Sequence, residues 1–191
     1  MFRITENMFV RRAASGRLQS IEHIREPFTV RRPVPMAASA LADEYVREVS
    51  STYGFESGLT NALDTPIPGA VTQDGSRLHR TRQRELAGSI VVEYAQSYAG
   101  LPVWRAVFSV HIAQGPLRVT SSDSTVHESV QLSNDAAAVA RAQQTYSSLA
   151  ALNQALRLDP ARGATRVNRL ATLIYQYQPA DRVELPDPGA S

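Results

Sequence analysis

Apolar residues recur at every fourth position over residues 37–55: Leu41, Tyr45, Val49 and Tyr53, with Ala38, Ala42 and Val46 widening the stripe. That spacing predicts an amphipathic helix with one buried face. Gly54 and Gly58 supply its stop signals. The period then changes from four to two. Over residues 102–113, Trp104, Ala106, Phe108, Val110 and Ile112 alternate with Arg105, Ser109 and His111. This predicts a strand whose buried face starts at Trp104. Residues 86–98 predict a preceding strand centred on 90–94, with Gly88 as a bulge. Residues 117–131, rich in Thr, Ser and Val, predict a following one. Tyr98-Ala99-Gly100 and Gln114-Gly115-Pro116 supply the turns, so the three strands form an antiparallel meander.

The flanking segments are less regular. Residues 16–30 alternate weakly and read as an edge strand, broken by Pro27, Pro33 and Pro35 into an extended linker. Residues 57–76 carry Pro66, Pro68, Gly69 and Gly75 and read as a long irregular stretch, functional or mobile. Ser133, Asn134 and Asp135 are N-cap candidates for a second, Ala-rich helix with Val139, Ala142, Tyr146 and Leu149 on one face. Residues 165–178 predict a last strand with Val167, Leu173, Tyr175 and Tyr177 on one side. Helices and strands are segregated rather than alternating. The expected class is therefore α+β, an antiparallel sheet with helices packed on one face. The chain divides into an Arg-rich extended segment with a candidate edge strand (1–36), an α+β domain (37–180) and a tail (181–191).

Composition narrows the chemistry. A length of 191 residues fits one domain with tails. No apolar run approaches the ~20 residues of a membrane helix, so no membrane partner is expected. There is no Cys, which excludes disulfides, thiol catalysis and thiolate metal sites. All 20 basic residues are Arg. Schiff-base catalysis and the phosphate-loop lysine are excluded with them. The net charge is only +2, so nucleic acid is not an expected partner of the chain as a whole. The first residues, MFRITENMFVRR, contain no apolar core of a secretory signal, and the compartment stays open.

Candidate catalytic groups are sparse. His23, His79, His111 and His127 are scattered. His127-Glu128 begins like an HExxH zinc motif, but Gln131 replaces the second imidazole, and the stretch reads as a strand rather than a helix. Asp74-Gly75-Ser76 and Ala14-Ser15-Gly16 lack the strand–turn–helix setting of a nucleophile elbow. Glu93, Asp123 and Glu128 are isolated carboxylates. The sharpest charge cluster is Arg77, Arg80, Arg82 and Arg84, which suits an anionic partner, a protease-sensitive loop or simply a solvated strand edge. No catalytic residue, cofactor or metal is expected, and the residues alone point to a domain that acts by binding.

One segment carries a resemblance. VVEYAQSYAGLPVWRAVFSVHI, residues 91–112, resembles the signature of the fungalysin/thermolysin propeptide domain, related to PepSY domains. The matching residues are Gln96, Tyr98, Gly100, Leu101, Pro102 and Val103, followed by Trp104 at the aromatic position and by His111-Ile112. The helix before this block, the Gly turn after it, the helix over 136–149 and the strand over 170–178 fall where such propeptides have theirs. The residues also have structural jobs of their own. Gly100 suits a tight turn, Pro102 a strand start, and Gln96 a bond to backbone at the hairpin mouth. The resemblance implies a cystatin-like fold and a non-catalytic role as inhibitor and folding chaperone of a secreted zinc metallopeptidase. The partner would be a peptidase domain in cis or in trans. The alternative is the same fold reused as a protein-binding or scaffold module in a larger assembly, with self-association as one form of it.

Overall fold

The computed structural model describes residues 2–29, 36–69, 72, 74–130 and 173–175. Within them lie six strands and one helix: β1 (Met8–Arg12), β2 (Leu18–His23), α1 (Ala38–Val49), β3 (Arg77–Leu86), β4 (Ser89–Tyr98), β5 (Leu101–Ala113) and β6 (Arg118–Ser124). The strands make one antiparallel sheet in the order β1-β2-β6-β5-β4-β3. The class is mixed α+β, and sheet dominates. The second helix, most of the last strand, Pro33 and Pro35 of the linker and the tail over 181–191 fall outside the described residues.

Helix α1 follows its sequence pattern closely. Ala38, Leu41, Ala42, Tyr45, Val46 and Val49 are all buried. They pack across β4, β5 and β6. Tyr53 continues the stripe beyond the helix end, where the chain turns at Gly54 (φ +75°). The opposing sheet face supplies Ile90, Val92, Tyr94, Phe108, Val110, Ile112 and Val119. Phe108 meets the Tyr53 ring edge-on at 5.0 Å between centroids, in the geometry that aromatic quadrupoles favour.

Several expectations are corrected. The strand expected within 16–30 covers only β2, and it lies inside the sheet; the edge is β1, whose inward Met8 and Val10 alternate with outward Phe9 and Arg11. Both strands belong to the same sheet as the meander, and Leu18 and Ile21 enter its core. Gly88 is no bulge. With Ala87 it forms the two-residue turn between β3 and β4, closing the Leu86–Ser89 pair. The third meander strand ends at Ser124, where an irregular stretch takes over.

The segment after α1 is bound to the sheet rather than loose. It folds into successive turns that send Leu59 and Leu63 into the core. The N–H groups of Leu78 and Arg80 on the outer side of β3 donate to the carbonyls of Leu59 and Leu63 at 2.7 and 2.8 Å. Further along, the His79 ring is buried beneath the same segment and bonds the Thr65 carbonyl at 2.9 Å. Half of the β3 edge is thereby paired with backbone, which removes it as a template for strand addition. The other half, 81–86, is exposed along its whole length.

Trp104 is the largest departure. It was expected to lead the buried face, but its side chain is 47% exposed. The cause is a break in strand parity. Leu101 and Val103 point inward, and so do Ala106, Phe108, Val110 and Ile112. An odd number of extra residues must lie between the two sets, and Arg105, at φ +56°, is among them. The ladder shows the same event. Ala95 pairs with Val107 and Ser97 with Pro102, so β5 takes five steps where β4 takes two.

Candidate partner-binding surface

The β4–β5 hairpin is built around Tyr98, Gly100, Leu101, Pro102 and Val103. Tyr98 pairs with Leu101 across a two-residue turn, Ala99 at φ +49° and Gly100 at φ +75°. Two positive φ values in succession match the twist that an antiparallel pair needs at a tight turn. The turn is itself covered: the Gly100 carbonyl accepts from the Gly69 N–H and the Ala99 carbonyl from the Thr72 N–H, each at 2.9 Å. Leu101 and Val103 are buried, and Pro102 occupies the second position of β5. These residues shape the hairpin.

Gln96 does bond backbone, but not at the hairpin mouth. Its side chain is fully buried opposite the β5 bulge. Nε2 donates to the His127 carbonyl at 2.9 Å and to Ser76 Oγ at 3.2 Å. Oε1 accepts from the His127 N–H at 3.0 Å. The chain after β6 is thus drawn into the space that β5 vacates. Thr125 completes the seal: its N–H donates to the Val107 carbonyl at 2.8 Å, and its hydroxyl accepts from the Val107 N–H at 3.0 Å and donates to the Arg105 carbonyl at 2.6 Å. The positive φ of Arg105 costs about 1–2 kcal/mol, and this web of bonds holds it in place.

The far side of the bulge pairs with another piece of chain. Trp104 N–H donates to the Ile174 carbonyl at 2.7 Å, and Ile174 N–H to the Pro102 carbonyl at 2.8 Å, making a parallel bridge centred on Val103 and Ile174. Val103 faces inward, so the register sets Trp104, Leu173 and Tyr175 on the outward side. Leu173 and Tyr175 share one side, as the sequence pattern predicts, and on it they are 40% and 54% exposed. The Arg105 guanidinium lies 5.6 Å from the Trp104 ring centre, within cation–π range. Periodicity alone missed this surface. The readable signal was that residues 101–103 and 106–112 are apolar on opposite parities, which one uniform strand cannot satisfy.

The arginine cluster disperses along β3. Arg80 is partly buried and bonds Asp43 Oδ2 at 2.9 Å, while Tyr94 Oη donates to Asp43 Oδ1 at 2.7 Å. Burial, reinforced by the Asp43 carboxylate, pushes the Tyr94 phenol far above its usual range and keeps it a neutral donor. Arg77 turns back on the Ser76 carbonyl at 2.9 Å. Arg84 pairs with Glu93 across the strand. Arg82 stands opposite Glu93 in the ladder and is exposed. Among the described residues, three of the four cations therefore have intramolecular partners.

The sheet face away from α1 carries several polar side chains. A groove of about 380 Å³ there is lined by residues including Arg11, Ser109, Asp123 and Thr125. Asp123 lies 3.4 Å from both Arg11 Nη2 and His111 Nε2. Ser121 stands opposite His111 in the ladder and Ser109 opposite Asp123. Among the described residues no serine hydroxyl bonds His111, so the set lacks the contact that activates a nucleophile. His127 and Glu128 lie in irregular chain rather than on a strand or helix, and the His127 backbone is engaged by Gln96. Among the described residues no helix is long and apolar enough to cross a membrane. Comparison with protein-family models, with curated proteins and with solved structures found no match.

Proposed function

We propose that the chain is a non-catalytic, propeptide-like binding domain that inhibits a zinc metallopeptidase and assists its folding. The observation that carries this reading is the placement of the Gln96–Val103 motif: it forms a tight β4–β5 hairpin, after a helix and within an antiparallel meander. That is the setting in which the resembling propeptides use it. In this reading the fold is cystatin-like, which α1 lying across one face of the sheet supports. A prosegment works by mass action, covering the cleft at high effective concentration when tethered and stabilising the folded enzyme.

The test is to titrate the purified chain into a thermolysin-type peptidase and follow peptide hydrolysis. Saturable inhibition without cleavage of the chain is the expected result. Full peptidase activity at a large excess of folded chain would overturn the peptidase reading. The domain would then be a protein-binding module, for which the exposed Trp104–Tyr175 surface is the supporting observation.

A further inference from the structure

We infer that the Trp104–Arg105 bulge and residues 173–175 form a docking surface for a protein segment that carries a carboxylate beside an apolar side chain. The inference rests on the chain being a binding domain and names the chemistry of what it binds.

Three observations converge. The first is exposure. Trp104, Leu173 and Tyr175 sit on one outward side of a bridged pair of strands, all three large and uncovered. Large apolar groups gathered in this way mark interaction sites more often than scattered ones do. Trp, Tyr and Arg are also the residue types that dominate binding energy at interfaces.

The second is construction. A bulge re-aims side chains, and this one turns Trp104 outward at the cost of a left-handed Arg105. The Thr125 hydroxyl holds Arg105 through its carbonyl, and the Ile174 carbonyl holds Trp104 through its N–H. A surface fixed this firmly loses little freedom when it binds.

The third is polarity. Among the described residues, the side-chain groups at the patch without a partner are the indole N–H of Trp104, the guanidinium of Arg105 and the phenol of Tyr175. Indole and guanidinium can only donate, and a phenol donates readily. Among the described residues no carboxylate pairs with Arg105, whose guanidinium lies against the Trp104 ring. An apolar floor with a rim of donors and a free cation is matched by an apolar side chain flanked by an acceptor that carries negative charge. Nucleic acid fits less well. Its phosphates need a run of free cations, and most of the nearby Arg series on β3 is already paired.

Trp104 is the only Trp in the chain, so its emission reports on this surface directly. The probes are two Trp-free peptides, acetyl-Leu-Glu-Leu-Glu-Leu-amide and its Lys counterpart, with a twelve-residue oligothymidylate as third ligand. The acidic peptide is expected to shift the emission to the blue, saturably, and to bind at least about tenfold tighter than the basic one. Arg105→Glu should reverse that order, and Tyr175→Ala should weaken the acidic peptide at least about fivefold. Arg105→Gln, which removes the charge but keeps a polar side chain, should abolish the preference if Arg105→Glu fails to fold. No shift with the acidic peptide, equal binding of both peptides, an unchanged order in the Arg105 variants, or tighter binding of the oligonucleotide would each overturn the proposal. The peptidase titration separates the two readings. If Arg105→Glu inhibits the peptidase as well as the parent does, this surface falls and the peptidase reading stands. If the peptidase is unaffected but the peptides bind in the expected order, the surface stands and the peptidase reading falls.

Discussion

Gln96 and His127, 31 residues apart, form a two-bond clasp: the His127 N–H donates to Gln96 Oε1 at 3.0 Å while Gln96 Nε2 donates to the His127 carbonyl at 2.9 Å. One buried amide spans the gap that the β5 bulge opens in the ladder. It satisfies the backbone of chain that has left the ladder, where unpaired N–H and C=O groups would be costly.

Replacing this amide should therefore cost more than an average core change. Gln96→Leu keeps the volume but leaves the His127 N–H and carbonyl without partners. A loss of about 2–4 kcal/mol is expected, seen as a lower urea midpoint with an unchanged slope. Gln96→Glu should be worse, because it sets an anionic oxygen against the His127 carbonyl. A Gln96→Leu variant within about 0.5 kcal/mol of the parent would show that the clasp is not formed in solution.

The Asp43 carboxylate joins α1 to the sheet by accepting from Tyr94 and Arg80. Asp43→Ala strands a buried phenol and a half-buried guanidinium, and about 3 kcal/mol of stability should be lost. Tyr94→Phe alone should cost about 1–2 kcal/mol. In a double-mutant cycle the two changes should be clearly non-additive, since each removes the same bond. Additive losses would mean that the two residues stabilise the fold independently.

What was legible in the sequence follows from which interactions are local. The α1 stripe and the tight turn at Ala99-Gly100 depend on residues within a few positions, and both were readable. The strand β1 was not, because five residues with two inward apolar groups carry too little period. The fate of 57–76 depended on where the outer N–H groups of β3 find acceptors. Nothing in the composition of that stretch states it. The arginine cluster looked like one feature because its members are close in sequence. In the fold Arg80 turns towards Asp43 and Arg84 towards Glu93. Trp104 was misplaced because a single parity was extended through a bulge, although Leu101 and Val103 already contradicted it.

The β4–β5 turn offers a paired test of backbone strain. Gly100→Ala places a Cβ at φ +75° and should cost about 1–2 kcal/mol. Ala99→Gly relieves a residue already held at φ +49°. It gives back part of that gain as added freedom in the unfolded chain, so a change from about zero to about 1 kcal/mol of stabilisation is expected. Opposite signs, or Gly100→Ala at the lower stability with Ala99→Gly at or above the parent, would match the turn described. Equal destabilisation by both changes would rule out two successive left-handed residues there.

Two buried histidines should make the fold sensitive to acid. The His23 Nδ1 faces the Glu26 carbonyl at 3.2 Å, and a carbonyl can only accept, so Nδ1 carries the proton. Nε2 must then accept from the Tyr45 hydroxyl at 3.1 Å, which in turn meets Ser122 Oγ at 2.9 Å. His79 is held in the same way, Nδ1 donating to the Thr65 carbonyl at 2.9 Å and Nε2 accepting from Ser97 Oγ at 2.8 Å. Adding a proton to either Nε2 turns an acceptor towards a group that is already donating. Burial is the main cause that lowers both pKa values below the ordinary 6.5. The unfolded chain therefore takes up protons at a higher pH than the folded one. Stability from these residues is complete above about 6.5 and is lost progressively as the pH falls from there towards the lowered folded-state values. The melting temperature should drop across that window, and His23→Gln with His79→Gln should flatten the slope even if the double variant is less stable at pH 8. A slope below pH 6.5 that survives both substitutions would move the acid sensitivity to other groups.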